Sequence, residues 1–459
     1  MRSQPLRAIP TSAWRTLAIA ATAVFLVSLD GTVLFVAFPS IRRTFPGVSP
    51  EELSWILNAY TIGFGALLVP AGRLADRFGR RAFFTAGLGV FTAASVLCGV
   101  APGVGTLVAA RALQSVGAAL LMPASLALVL RAFPEERRGV AVGIWGAVGA
   151  LAAAIGPVLG SAVVQFASWR WAFLLNLPLG AYTLAVSARR LEESRANEAG
   201  SLPDVLGAAV LIAAFSSLAY GIIGWRADPG RATSALAAGS VLLALFVWRS
   251  LRVETPALDL RLFARRSFAI ANAMTLLFSI AFSAMFFGNV FFLTERWQLS
   301  IFEAGLWISP GPLTVIPVAI ASGRLADRAG YRPLFVAGGL VFSLGGIWLL
   351  LRADATASFL VWLPGSLLMG ISIGMVLPSL SGAAVSQLDP ASLGAGSGVN
   401  QAVRQLGSVL GVAIVVLVLG GLAKSARFEH VFALLVVSGL LTAIGGLLLP
   451  PRSRAPHAA

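Results

Sequence analysis

The sequence is short of the groups on which most soluble chemistry depends. It has one cysteine, Cys98, and two histidines, His430 and His457. A single thiol excludes an internal disulfide framework, and so few soft ligands leave nothing for a metal centre. Lysine occurs once, as Lys424 in Gly-Leu-Ala-Lys. No Gly-Lys-Ser/Thr phosphate loop therefore exists, and the chain has no ATPase of its own. No Ser/His or His/Glu constellation falls inside its apolar runs, so neither an enzyme nor a bound cofactor is expected. Charge is scarce as well: 12% of the 459 residues are charged, against roughly a quarter in an ordinary soluble domain.

Apolar residues fill the space, at 58% of the chain and a mean hydropathy of +0.86. Too few polar residues remain to cover a soluble core of that size. A lipid-facing exterior removes the requirement. Runs near the ~20 residues needed to cross a bilayer fall at about 16–39, 53–71, 82–101, 104–130, 139–166, 172–188, 204–225, 232–248, 268–293, 304–322, 334–351, 359–380, 398–423 and 430–449. They predict fourteen membrane helices, an even number that puts both termini on one side. The opening run follows arginines like a signal peptide, but it continues to Ala37 and is read as a retained helix.

The net charge of +15 raises the question of a nucleic-acid partner, which needs basic residues gathered on one face. Here they lie in short runs between the apolar stretches, and no nucleic acid is expected. They orient the chain instead. With a cytoplasmic N-terminus, 23 of the 34 basic residues fall in cytoplasmic stretches and 9 on the other side. Arg111 and Arg404 remain inside helices. Both termini are thus expected in the cytoplasm. A composition heavy in arginine and alanine with one lysine suggests a GC-rich bacterial genome, and so a bacterial inner membrane.

Gly72-Arg-Leu-Ala-Asp-Arg-Phe-Gly79 recurs as Gly323-Arg-Leu-Ala-Asp-Arg-Ala-Gly330, displaced by 251 residues. Each copy follows an apolar run, the second and the tenth. Two six-helix halves with two helices inserted between them give this spacing. The chain is divided accordingly: an N-terminal six-helix bundle over 1–190, an inserted pair with flanking loops over 191–266, a C-terminal six-helix bundle over 267–450, and a tail over 451–459. Parallel repeats of this kind mark major facilitator transporters, whose substrate site lies near mid-membrane between the halves.

The motifs make the likeness specific. Gly72–Arg81 resembles the loop signature of the major facilitator superfamily, Arg111-Ala-Leu-Gln-Ser-Val-Gly117 its helix 4 motif, and Gly156-Pro-Val-Leu-Gly160 its antiporter motif. Leu29-Asp-Gly-Thr-Val33 with Pro39, Trp169-Arg-Trp-Ala-Phe173 with Asn176 and Pro178, and Asn400-Gln-Ala-Val-Arg404-Gln-Leu-Gly407 resemble the fourteen-helix drug:proton antiporter family. Phe35, Phe38, Ala152 and Ser161 depart from that family's usual residues. The resemblance implies an all-α transporter, working as a monomer, that exchanges protons for lipophilic or cationic small molecules. Other readings are a dedicated exporter or flippase of an endogenous lipid or metabolite, and a non-transporting membrane receptor or scaffold.

Asp30 is the one acidic residue well inside an apolar run of the first half, where a charge costs at least ~2.5–3.5 kcal/mol. Arg111 is the matching cation. At ~1.5 Å per residue both come out at the same depth in a ~30 Å hydrocarbon core. Burial favours a neutral carboxyl and a nearby cation the charged form, a balance suited to taking up and releasing a proton. A static ion pair that fixes packing is the alternative. The expected cavity comprises Asp30, Thr32, Asn58, Tyr60, Arg111, Gln114, Phe286, Asn289, Asn400 and Arg404. Trp55, Phe287, Phe291 and Phe292 are further aromatic candidates. Arg404 is placed roughly 9 Å from the cytoplasmic edge, facing the cavity or reaching for the interface. Gly156, Pro157 and Gly160 are read as a hinge and seal, or as simple close packing. Gly72, Asp76, Arg77, Gly79 and Arg80, with Asp327 and Arg328, are read as a conformational lock between the halves, or as ordinary charge that sets the topology.

Overall fold

The computed structural model of the protein describes residues 10–134, 137–195, 202–352, 356–389, 392–419 and 428–449. The expected tail over 451–459, with Arg452, Arg454 and His457, lies outside the described residues, as do Arg2, Arg7, Lys424 and Arg427. Among the described residues there is no β-strand. Fourteen helices are long and apolar enough to cross a membrane. In chain order they are α1 (Thr11–Thr44), α2 (Pro50–Phe78), α3 (Arg80–Gly99), α4 (Val104–Ala132), α5 (Arg138–Phe166), α6 (Trp171–Arg190), α7 (Val205–Gly224), α8 (Pro229–Arg252), α9 (Arg266–Arg296), α10 (Ile301–Ala329), α11 (Arg332–Leu351), α12 (Phe359–Val385), α13 (Leu393–Val418) and α14 (Phe428–Leu448).

Helical structure throughout is what lipid demands, since backbone groups there must bond within their own segment. Polar side chains mark several helix starts. Ser49 accepts from the Glu52 N–H beside Pro50 at the start of α2. Ser300 and Glu303 form a reciprocal capping box at the start of α10. Asp204 caps α7 by accepting from the Gly207 N–H at 2.8 Å and also pairs with Arg249 of α8 at 2.8 Å, which ties α7 and α8 into a hairpin.

One boundary differs usefully from the hydropathy reading. The run expected at 398–423 is a helix over Leu393–Val418. Leu-Gly-Ala-Gly-Ser-Gly reads as a loop, but its small residues let α13 lie close to neighbours: Gly396 abuts Leu388 and Phe268, and Gly398 abuts Val69. Arg404 is therefore eleven residues past the helix start, or ~16 Å along it rather than ~9 Å.

Helix packing repeats with a shift of eight. In the first half α1 lies on α4, α5 and α6, α2 on α4, and α3 on α4 and α6; α9–α14 pair in the corresponding way. Between the halves, α2 lies along α13 and α5 along α10. Of the inserted pair, α7 packs on both α2 and α13, while α8 packs mainly on α7. The Arg73 Nη1 also donates to the Pro256 carbonyl at 2.9 Å, fastening the loop after α8 to α2.

Candidate functional site

A cavity of about 1320 Å³ lies between the halves, lined from both, with no residue of α7 or α8 on its wall. That is ample for a drug-sized ligand. It reaches the arginine-rich end, where Arg73, Arg80, Arg131 and Gly394 line it. Toward the other end it stops at about the level of Phe35, Phe286 and Trp362.

Aromatic rings fill the seam beyond that level. Phe35 meets Phe286 with centroids 5.2 Å apart, and Phe38 meets Phe287 at 5.0 Å and Phe291 at 5.8 Å. Above the rings, Arg42 of α1 pairs with Glu295 of α9 at 3.8 Å. A second closure joins α5 to its neighbours. A side chain at Gly156 would strike Thr32, one at Gly160 would strike Val33, and one at Gly305 of α10 would strike Ser161 and the Pro157 carbonyl. The Gly156–Ser161 segment thus holds α1 and α10 against α5 through residues with little or no side chain.

At the cavity wall and just behind it, α1, α3, α4 and α6 bring five polar side chains together. Asp30, Arg111, Gln114, Ser95 and Asn176 are each no more than 2% exposed. The Asp30 carboxylate accepts from Arg111 Nη1 at 2.6 Å, Gln114 Nε2 at 2.9 Å and Asn176 Nδ2 at 3.2 Å. Arg111 Nη1 also donates to Gln114 Oε1 at 2.6 Å, and its Nε donates to the Ile56 carbonyl at 3.1 Å. The guanidinium lies over the Tyr60 ring, 4.0 Å from its centroid. Charge-assisted bonds and a cation–π contact together offset the burial of both charges.

Of the ten expected cavity residues, Thr32, Tyr60, Arg111, Phe286, Asn289 and Arg404 line the wall. Asp30 and Gln114 do not; they stand one layer behind it in the network. Asn58 is wholly buried off the wall, and neither amide atom has a hydrogen-bond partner among the described residues. Asn400 is a strut instead: its Nδ2 donates to Asn272 at 3.1 Å and Thr275 at 2.8 Å on α9, and its Oδ1 accepts from Ser381 on α12. Phe287, Phe291 and Phe292 are fully buried in packing, and Trp55 packs against the main core. The Tyr60 hydroxyl and the Asn289 Oδ1 have no hydrogen-bond partner among the described residues.

The repeated loops differ from each other. Asp76 pairs with Arg80 of the same loop at 2.8 Å, and Arg77 stacks on Phe78. The N-terminus of α3 is capped from outside the motif. Glu193, in the loop after α6, accepts from the Arg81 and Ala82 N–H groups, both at 3.1 Å. Gly79, at φ +130°, leaves room for that carboxylate. Asp327 and Arg328 of the second copy are exposed.

Ser95 and Glu193 escaped the sequence reading because neither lies in a motif. Asn176 carried a signal through its place after Trp169–Phe173.

The sequence model of the Major Facilitator Superfamily matches residues 20–412. The multidrug resistance protein Stp of Mycobacterium tuberculosis is 33% identical over 90% of this chain and 77% of its own length. The methylenomycin A resistance protein of Streptomyces coelicolor is 34% identical over 93% of this chain and 90% of its own. The puromycin resistance protein of Streptomyces alboniger is 33% identical over 91% and 84%. Among solved structures, a partially occluded inward open xylose transporter of E. coli superposes with a TM-score of 0.68 at 14% identity, covering 96% of this chain and 99% of that one.

Proposed function

This chain belongs to the major facilitator superfamily, is a multi-pass membrane transporter of small molecules and not an enzyme, and from that premise we propose that it exports lipophilic compounds in exchange for protons by alternating access. The observation that carries the reading is the double position of Arg111, which faces the cavity and bonds to Asp30 behind it. One side chain separates substrate from the only carboxylate in the network. A carboxylate accepts from all three of its partners; a protonated acid must donate one hydrogen itself. Protonation of Asp30 therefore loosens Arg111, which turns a proton into a change on the cavity wall.

The arginine-rich end is the cytoplasmic one, by the bias of basic residues, and the membrane is the bacterial inner membrane. In this orientation the cavity is open to the cytoplasm, ready to load an export substrate. The aromatic seam and the α5 glycines form the closed outer gate. When the gate opens, the loops holding Asp76, Arg77, Arg80, Asp327 and Arg328 come together as the lock of the opposite state. Residues 1–190 and 267–450 act as the two moving bundles, 191–266 as an accessory pair, and the protein works as a monomer. The names of the relatives support drug or antibiotic export. No cation subsite is included in the reading, because the Asp30 carboxylate is committed to internal donors. Transport of a panel of dyes into inside-out vesicles under an imposed pH gradient tests the proposal. Uptake that ignores the gradient would refute proton exchange.

A further inference from the structure

We infer that Arg404 is an anion-recognition residue at the middle of the cavity, so that the best substrates are lipophilic bodies carrying an oxyanion. This rests on the cavity being the substrate site. Arg404 stands ~16 Å along α13, about halfway through a ~30 Å hydrocarbon layer, and lines the cavity. Among the described residues none gives it a hydrogen bond or an ion pair. The other deep cation, Arg111, is neutralised by Asp30. A charge held at that depth without a partner is costly, and such residues mark ligand or ion pathways.

The surroundings suit an anion and not a cation. Asp76 is the sole acidic residue on the described cavity wall, and it pairs with Arg80. Six arginines share the wall with it. Arg404 also belongs to a polar stripe: Ser397, Gln401, Arg404 and Ser408 recur at helical spacing on α13, and all four face the cavity. A guanidinium offers five donors in a fork that matches a carboxylate or sulfonate edge, and the neighbouring amides and hydroxyls supply more. Phe282, Phe286, Met369 and Trp362 line the same space and accept the apolar body.

The test uses the full-length protein in nanodiscs and two dyes of one skeleton. N-phenyl-1-naphthylamine is neutral, and 8-anilinonaphthalene-1-sulfonate adds only the anion. Binding is measured by equilibrium titration with empty discs subtracted. Arg404→Gln is expected to weaken the sulfonate roughly tenfold or more, the usual worth of a bond to a charged group, and to leave the neutral dye within about twofold. Arg404→Lys, which keeps the charge and loses the fork, falls between. Equal weakening of both dyes assigns Arg404 to packing, and no weakening of either makes it a hydrated bystander; each result overturns the inference. Uptake of the dyes into proteoliposomes under a pH gradient is scored separately. Its absence alongside Arg404-dependent binding sinks the transport reading and spares the anion site.

Discussion

Gln114 turns both ends of its amide toward one ion pair, giving its Nε2 hydrogen to Asp30 Oδ1 at 2.9 Å while its Oε1 receives Arg111 Nη1 at 2.6 Å. Three residues of two helices thereby form a closed ring of donors and acceptors. Removal of any member leaves a buried polar group unsatisfied, at a cost of about 1–3 kcal/mol for a neutral group and more for a charged one.

Asp30→Asn keeps the shape of that ring and removes its titration. Substrate binding should survive and lose its pH dependence, while pH-driven accumulation in proteoliposomes falls to the passive level. At 100 mV each charge moved is worth ~2.3 kcal/mol, enough for a concentration ratio near ~50, so one site suffices for useful export. If the Asn variant still concentrates substrate when a pH difference is applied, the coupling group lies elsewhere.

Arg111→Ala takes away the side chain that lines the cavity and bonds to Asp30. Accumulation driven by a pH gradient in proteoliposomes should then fall toward the passive level, because nothing links the carboxylate to the cavity wall. A purely architectural ion pair gives another pattern: poor folding of both variants, with normal gradient-driven transport per folded molecule.

At the gate, Gly160→Leu places a branched side chain against Val33. Overpacking of this kind costs about 1–3 kcal/mol and should pry α1 from α5. Proteoliposomes carrying the variant are expected to leak protons without substrate, read with an internal pH dye. A tight but less stable protein would show that the glycine serves packing alone.

Glu193→Ala should destabilise the protein by about 1 kcal/mol, the usual worth of a helix cap. Gly79→Ala should cost about 1–3 kcal/mol, because φ +130° strains any residue with a β-carbon. Thermal unfolding in detergent measures both, and an unchanged Glu193 variant would remove the cap from the account.

Orientation is testable because the single cysteine, Cys98, is buried. Cysteines introduced at Arg195 and at Arg226 should react with an impermeant maleimide from opposite sides, the first only from the cytoplasm. Labelling of position 195 in intact cells would invert the topology.

The sequence makes the long features legible and leaves the short-range ones obscure. Fourteen apolar runs, a repeated octapeptide and the depths of Asp30 and Arg111 follow from one-dimensional spacing, and those two residues meet at 2.6 Å. What spacing does not encode is which face of a uniformly apolar helix turns inward. Gln114 lies one turn from Arg111 on α4, yet Arg111 reaches the cavity while Gln114 is sealed behind it. Asn400 and Arg404 stand one turn apart on α13, the first a strut and the second on the wall. Ser95 and Glu193 belong to no pattern; only the approach of α3 to α4 and of the loop after α6 to α3 gives them partners. The helix start at Leu393 was hidden for a similar reason, since its glycines are helical by close packing rather than by propensity.

The inserted hairpin makes the two flanks of the molecule unequal. Along one seam α7 lies across both α2 and α13, whereas the seam between α5 and α10 has no such cover from α7 or α8. A compound dissolved in the bilayer therefore finds a shuttered side and a bare one. Trp145, Gly149 and Ala153 of α5 line the interior just within the bare side, with Pro312 of α10. The uncovered seam relies on small residues for its fit, since a side chain at Gly305 of α10 would strike Ser161 and the Pro157 carbonyl of α5.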